Sequence, residues 1–145
     1  MHDVSGSGLK IRIVALPTFP AGFDITHFAD DSDPWQVDEL DITNTGFTLN
    51  GDMTRWSIPG GIAARVSVLP NTEEAENLQF LWDVNRVTTQ KLSARDEITA
   101  VVSYADGKVE TYTLGAMVSG PAGTGVSSDA RLNTKTFGFM FERRV

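Results

Sequence analysis

Residues 50–86 read NGDMTRWSIPGGIAARVSVLPNTEEAENLQFLWDVNR, and this stretch decides the fold. Asn50 and Gly51 tolerate the positive φ angles that tight hairpin turns demand, so residues 53–58 are predicted to return as a strand. A Gly-Gly break leads into a second strand at residues 62–69, which ends at a proline because proline cannot extend a ladder. A single helical pattern then follows in a chain that otherwise alternates like strands, and this order is a narrow architectural signature.

The helix is predicted over residues 71–87. Asn71 followed three positions later by the acid Glu74 is the sequence signature of a capping box. Apolar residues then recur at helical spacing, as they do in a helix that packs one side against a core. The residues interpreted as the scaffold face of this helix are Leu78, Leu81 and Trp82.

The rest of the chain predicts antiparallel β structure. Residues 9–16 and 23–28 alternate apolar and polar side chains, and the Asp-Gly pair at 106–107 is a hairpin signal between two further strands. Residues 35–58 predict a long β-ribbon, and we interpret the helix as a buttress for the base of that ribbon. With about eight or nine strands and one helix, the expected fold is mainly β, an antiparallel β-sandwich or barrel with the helix packed at its side.

The chain is expected to form a single domain. Its length of 145 residues is enough for one well-packed core, so the domain is predicted to span residues 1–145. Residues 1–8 are small and polar and are predicted to be a mobile arm. Residues 115–128 are rich in glycine and serine and are predicted to be a flexible loop.

Negative charge is concentrated in the first third of the sequence. Residues 1–52 hold nine acids and two bases, a charge of −7, whereas residues 53–145 hold ten of each, a charge of 0, so the whole excess of −7 lies before residue 53. An acidic surface repels phosphate backbones, which argues against specific or non-specific nucleic-acid binding. The acids either solubilise a loop or form a surface that stays close to DNA without adsorbing it.

Composition also limits the compartment. The sequence has no cysteine, so disulfides and thiolate metal sites are excluded. It has no run of eighteen apolar residues, and we therefore expect no membrane span. The start, MHDVSGSG, lacks the basic and apolar regions of a signal peptide, so secretion is not expected.

No motif for catalysis or for a cofactor stands out. The acids at residues 30–39 could offer oxygen ligands to a hard cation, but the spacing of a calcium-binding loop is missing. His2 and His27 have no ligand-like spacing, and no nucleophile elbow accompanies His27. The glycines at residues 120–125 lack the lysine and hydroxyl residue of a phosphate-binding loop. We therefore expect no enzyme, no metal and no cofactor.

Tryptophans offer one alternative function. Trp35 and Trp56 could form a platform for a sugar ring, as aromatic residues do in β-sandwich modules that bind carbohydrate. Trp82 lies on the apolar side of the predicted helix and is expected to belong to the core. A carbohydrate-binding module is therefore the alternative to a structural protein.

The order of these elements resembles the tail-tube family of long-tailed bacteriophages, including the tube-like ring proteins of contractile-tail baseplates. The matching features are residues 23–28 with the acidic loop after them, the ribbon at residues 35–58 with its NGDMTR turn, and the strand at residues 64–69 that runs into the single helix. The similarity covers roughly residues 23–90.

The resemblance implies a structural virion protein that forms a hexameric ring, as a tail tube or as a tube-like part of the baseplate. The ribbons of six copies would join around a channel through which DNA passes without specific binding. Other tail proteins such as sheath or baseplate would be partners, no membrane would be involved, and assembly would take place in the host cytoplasm. The residues assigned to the assembly ribbon are Asp38, Asp41, Thr45, Phe47, Asn50, Gly51, Asp52 and Arg55.

Overall fold

The computed structural model describes residues 4–145, and in that part of the chain it is mainly β with one helix. The elements are β1 Lys10–Leu16, β2 Phe19–Ile25, β3 Trp35–Val37, β4 Thr43–Phe47, β5 Met53–Ser57, β6 Ile62–Val68, α1 Glu73–Asn85, β7 Glu97–Ser103, β8 Val109–Ser119 and β9 Lys135–Arg144. The predicted fold class is confirmed. The arm predicted at residues 1–8 falls in part on residues 1–3, which lie outside the described residues.

Seven strands form one antiparallel sheet in the order β2-β1-β7-β8-β9-β6-β3. Strand β1 shows why the sequence folds this way, since its alternate residues Ile11 and Ile13 are fully buried and its intervening residues are not. They lie opposite Val102 and Ala100 of β7, so the apolar side chains of neighbouring strands share one face of the sheet. That face is the hydrophobic core.

The large sheet curls towards a barrel. Trp35 on the edge strand β3 contacts Tyr112 on β8, with ring centroids 5.6 Å apart, although β9 and β6 lie between these strands in the sheet. On the other side, the chain after β2 reaches β6, where the Ala29 amide donates to the Ser67 carbonyl at 3.0 Å. The two edges are thereby brought together around the core.

Strand β2 begins earlier than the sequence predicts. The alternating pattern predicts a strand only from residue 23, after Pro20 and Gly22, yet β2 spans Phe19–Ile25. It lies at an edge of the sheet, where a residue without an amide proton leaves no ladder bond unmade. The prediction erred because a proline excludes only a central strand.

Helix α1 covers one end of the barrel and is shorter than the predicted 71–87. Its N-cap is Thr72, whose hydroxyl accepts from the Ala75 amide at 3.3 Å, and Asn71 precedes it with φ 60°. The capping box predicted from Asn71 and Glu74 is therefore wrong, because the cap lies one residue further on. Leu78 and Leu81 are fully buried and Trp82 packs against the core from a half-buried position.

The ribbon predicted at residues 35–58 is interrupted. Strand β3 belongs to the large sheet, where it pairs with β6, because Trp35 finds aromatic partners in the core. Only β4 and β5 form a separate two-stranded sheet. The helix does not support its base: Asn85 of α1 bonds to Asp96 before β7, and Lys135 at the start of β9 bonds to Gln79, whereas the hairpin leaves the barrel beside the start of β6.

The glycine-rich segment at residues 115–128 is only partly a loop, because β8 continues to Ser119. A Cβ on Gly115 would overlap the ring of Phe141, which lies opposite it on β9. This glycine makes room for a core aromatic ring. The prediction of a loop over the whole segment was wrong for its first five residues, since glycine there serves packing and not flexibility.

Candidate assembly surface

The β4–β5 hairpin stands apart from the barrel. Its five residue pairs run from Thr43 opposite Ser57 to Phe47 opposite Met53. The ladder continues at the outer end, where the Thr48 amide donates to the Asp52 carbonyl at 2.8 Å. Among the described residues, neither strand pairs with any other strand. Both outer edges of the hairpin therefore present unpaired backbone groups, and such a ribbon is marginally stable alone.

The turn of the hairpin follows the sequence signal in part. Gly51 has φ 88°, in the left-handed region that favours glycine, and its amide donates to the Thr48 carbonyl at 3.0 Å. Asn50 is in the turn but is not among the positive-φ residues of the described chain. Asp52 closes the turn, and its amide donates to the Thr48 hydroxyl oxygen at 3.1 Å. The structure thus brings the three predicted turn residues together at the apex.

The two faces of the hairpin differ in chemistry. Paired residues share a face, so Thr45 lies beside Arg55 and Phe47 beside Met53 on the first face. The second face carries Trp56 opposite Asn44. Its base is extended by Ile42 and Ile58, whose backbones are bonded at 3.0 Å. The first face is therefore apolar near the apex and the second is apolar near the base.

Large apolar side chains of the hairpin are left in solvent. Phe47 is 72% exposed and Leu49 in the turn is fully exposed. Ile42, Met53 and Trp56 are also more than half exposed. Exposed apolar groups that cluster on one element mark a surface for contact with another chain.

Two of the predicted ribbon residues lie outside the hairpin. Asp38 and Asp41 belong to the segment between β3 and β4, which is neither helix nor strand. Asp38 accepts a hydrogen bond from Arg65 of β6 at 2.8 Å and is thereby tied to the barrel. The structure does not bring these two acids together with the residues at the apex.

The end of the barrel opposite the helix is open, and we call it the barrel mouth. It contains a cavity of about 600 Å³ beside the base of the hairpin. The walls are largely apolar or aromatic, and the residues that line it are Trp35, Val37, Asp38, Leu40, Ile62, Tyr104, Glu110, Tyr112 and Arg144. No local sequence pattern signals this site, because its residues come from five separate stretches that only the curled sheet brings together.

Charges at the mouth are paired within the chain. Arg144 donates to the Glu110 carboxylate at 2.9 Å, and this hydrogen bond lowers the pKa of Glu110. Burial and the neighbouring Glu110 charge raise the pKa of Tyr104 to about 12, so this phenol stays neutral. Trp35 Nε1 is a buried donor that makes no hydrogen bond of regular geometry, although the Tyr104 and Tyr112 hydroxyls lie near it, and no other described residue has such an atom.

The other predicted sites do not assemble into a binding or catalytic centre. Asp30 pairs with Arg131, and Asp31 receives a hydrogen bond from the Thr134 hydroxyl at 2.6 Å. His27 Nδ1 lies 2.9 Å from Glu74 Oε1 on the helix. Within residues 4–145, no three acidic or histidine side chains are placed to hold a metal ion.

The two tryptophans of the carbohydrate alternative lie in different places. Trp35 lines the barrel mouth, and Trp56 lines a separate cavity on the hairpin. They therefore do not form one platform. In the described chain, α1 is too short to cross a bilayer.

Comparison with known proteins identifies a family and several similar chains of solved structure. The model of a family described as "Tail fiber protein gp32" matches residues 2–145. The chain is similar to a chain in a cryo-EM structure of the anti-feeding prophage cap, described as its tube-terminating cap, with 10% sequence identity and a TM-score of 0.49. This similarity covers 100% of the present chain and 91% of the other. No curated protein matches the sequence.

Proposed function

The chain belongs to the tail fiber protein gp32 family and is a phage tail structural protein, and from that premise we propose that it builds a closed ring of identical copies joined through the β4–β5 hairpin. One observation supports this most strongly: the hairpin stands outside the barrel with both edges unpaired and with Phe47 and Leu49 in solvent. An isolated two-stranded ribbon is marginal, and neighbouring chains at its edges complete its hydrogen bonds.

A ring forms when each copy makes the same contact with the next copy. When the hairpin of one copy pairs with a different surface of the next, the contact is heterologous, and it closes into a ring if the rotation between copies permits. Six copies is the number that the resemblance to tail-tube proteins implies. In this proposal residues 1–145 act as one tail-tube-like domain, with the barrel outside and the hairpin towards the axis.

The charge of the hairpin region suits a channel for DNA. Residues 38–58 hold four acids and one base, a charge of −3, so six copies would bring 6 × −3, or −18, to the axis. A negative lining repels phosphates and lets DNA slide without adsorbing. Arg55 is the one base of this region, and it stands beside Thr45 on the first face of the hairpin.

The ring has a place within the virion in this proposal. Sheath or baseplate proteins would contact the outer surface of the barrel, and the protein would be assembled in the host cytoplasm. The function is structural, with no reaction and no cofactor. The ring would be either one of a stack in the tube or a single tube-like ring of the baseplate.

Mass photometry and negative-stain imaging of the purified protein test the proposal. We expect particles of six copies with a central hole, alone or stacked end to end. A monomer at every concentration would contradict self-assembly. An open rod without a hole, as a fibre-type assembly would give, would contradict the closed ring.

A further inference from the structure

The barrel mouth is an unfilled site at the base of the hairpin. Helix α1 covers the opposite end of the barrel, where Asn85 bonds to Asp96 and Gln79 to Lys135. No element of the described chain covers the mouth in the same way, and a cavity of about 600 Å³ is left there. A cavity of this size is large enough to receive one or two apolar side chains of another chain.

The walls of the mouth suit an apolar group. Trp35 and Tyr112 form an aromatic wall, and Val37, Leu40 and Ile62 supply aliphatic surface. An apolar side chain that entered would lose its contact with water and gain this surface.

Polar groups at the mouth further limit the chemistry of the group that could occupy it. The Glu110 carboxylate is bonded to Arg144 and the Asp38 carboxylate to Arg65, so neither acid requires an added cation. Trp35 Nε1 is a buried donor that makes no hydrogen bond of regular geometry, and an acceptor on the occupant would complete it. The occupant should therefore be apolar, with an exposed carbonyl oxygen near its apolar side chain.

The apex of the hairpin has this chemistry. Leu49 is fully exposed at the turn, and the peptide carbonyls of a turn are available as acceptors. Asp52 beside it makes no ion pair within the described chain. The charged residues that line the mouth, Asp38, Glu110 and Arg144, are already paired within the chain, so the apolar fit and not charge favours the apex.

The apex lies a full hairpin length from the base of its own hairpin, where the mouth is. From Ile42 to Leu49 the hairpin extends by roughly 20–24 Å, taking about 3.4 Å for each strand residue. Strands that close into a barrel are tilted by about 35–45° to its axis, so the apex of each tilted hairpin is carried towards the base of the next. In a ring of hairpins, the apex of one copy would therefore lie close to the mouth of its neighbour.

We infer that the barrel mouth is the socket for the hairpin apex of a second copy of this chain, with Leu49 seated between Trp35, Val37 and Tyr112. The inference rests on the proposed ring and names the surface that receives the hairpin. The Trp35 indole would donate to a turn carbonyl. Each copy then gives one apex and receives one, which makes the contact directional.

Cysteine pairing between different copies tests the socket, because the natural sequence has no cysteine. Leu49→Cys and Val37→Cys variants are purified separately, mixed in equal amounts, assembled and treated with a mild oxidant. Leu40→Cys replaces Val37→Cys as a second mouth position in a parallel sample. Val118→Cys is the matched control, since Val118 is exposed but lies towards the helix end of β8.

The disulfide-linked dimer is measured on non-reducing gels and its linked peptides by mass spectrometry, with ring formation followed in the same samples. We expect the Leu49–mouth pairs to link about tenfold more than the Leu49–Val118 pair, because partners held in one assembly have a high effective concentration. Rings without linkage at either mouth position would overturn the socket and leave the ring intact. Absence of both rings and linkage would overturn the socket and the proposed function together.

Discussion

The barrel and the hairpin both have sequences in which apolar and polar residues alternate. The apolar side chains are buried in the barrel but exposed in the hairpin. In β1, alternation ends in full burial of Ile11 and Ile13, because β2 and β7 pair on both sides and the curled sheet covers one face. In β4 and β5, no neighbouring strand or layer is present in the described chain, and Phe47 remains 72% exposed. Alternation predicts a strand, and only the surroundings decide whether its apolar face is core or interface.

The largest expected effect is a difference in stability between alanine variants of two phenylalanines, Phe139 in the barrel and Phe47 in the hairpin. Phe139 is buried among Phe141 and the barrel core, so Phe139→Ala should lower the free energy of unfolding by about 3–5 kcal/mol through lost burial and a cavity. Phe47→Ala should change the stability of the monomer by about 0.5 kcal/mol or less, because its side chain is in solvent. Chemical denaturation of the two variants measures both. Equal losses would show that the hairpin is part of the core.

A pair of glycines tests packing inside the barrel. A Cβ on Gly115 would overlap the Phe141 ring, so Gly115→Ala should destabilise the protein by about 1–3 kcal/mol through overpacking. Gly123 has open space around its Cα, and Gly123→Ala is the control that should have little effect. Thermal melts compare them. A Gly115→Ala variant as stable as the control would mean that β8 does not lie against Phe141 as described.

The hairpin turn is predicted to matter for assembly far more than for folding. Replacement of Asn50 and Gly51 by two valines disfavours the turn, because Gly51 has φ 88° and β-branched residues avoid that region. The barrel should keep its unfolding free energy within about 0.5 kcal/mol, while ring formation falls sharply. Denaturation and negative-stain images are read side by side. Ring formation equal to that of the natural protein would contradict the assignment of the hairpin as the assembly element.

The smallest effect concerns the ion pair at the barrel mouth. Arg144 lowers the pKa of Glu110, so the charged pair stabilises the fold above the ordinary carboxyl pKa and this stabilisation is lost as the pH falls through the lowered value. Glu110→Gln should therefore cost about 1 kcal/mol or less at pH 7, and the difference from the natural protein should shrink in acid. Urea denaturation at pH 7 and at successively lower pH measures the difference. A difference in unfolding free energy that grows as the pH falls would contradict a stabilising ion pair between Glu110 and Arg144.

The sequence predicted the barrel better than the assembly surface, for physical reasons. Alternation in β1 and helical spacing at Leu78 and Leu81 report local burial, and both elements formed where expected. The N-cap was misplaced because Asn71 and Thr72 are both good capping residues, and only the backbone geometry selects Thr72.

Long-range contacts account for what the sequence did not predict. Trp35 was counted with the ribbon, yet its contact with Tyr112 draws β3 into the large sheet and shortens the hairpin. The barrel mouth gathers residues as distant in sequence as Trp35 and Arg144, and no local pattern signals such a set. The apex at Asn50 and Gly51 was predictable, because turn chemistry is local.

Hydrogen–deuterium exchange of the natural protein, before and after assembly, tests the difference between barrel and hairpin most directly. We expect strong protection of β1 and β7 amides in both states, because these strands are paired on both sides. We also expect rapid exchange of the amides of residues 43–57 in the monomer and a large gain of protection in the assembled ring. Hairpin amides that exchange equally fast in monomer and ring would contradict the role of the hairpin as the assembly surface.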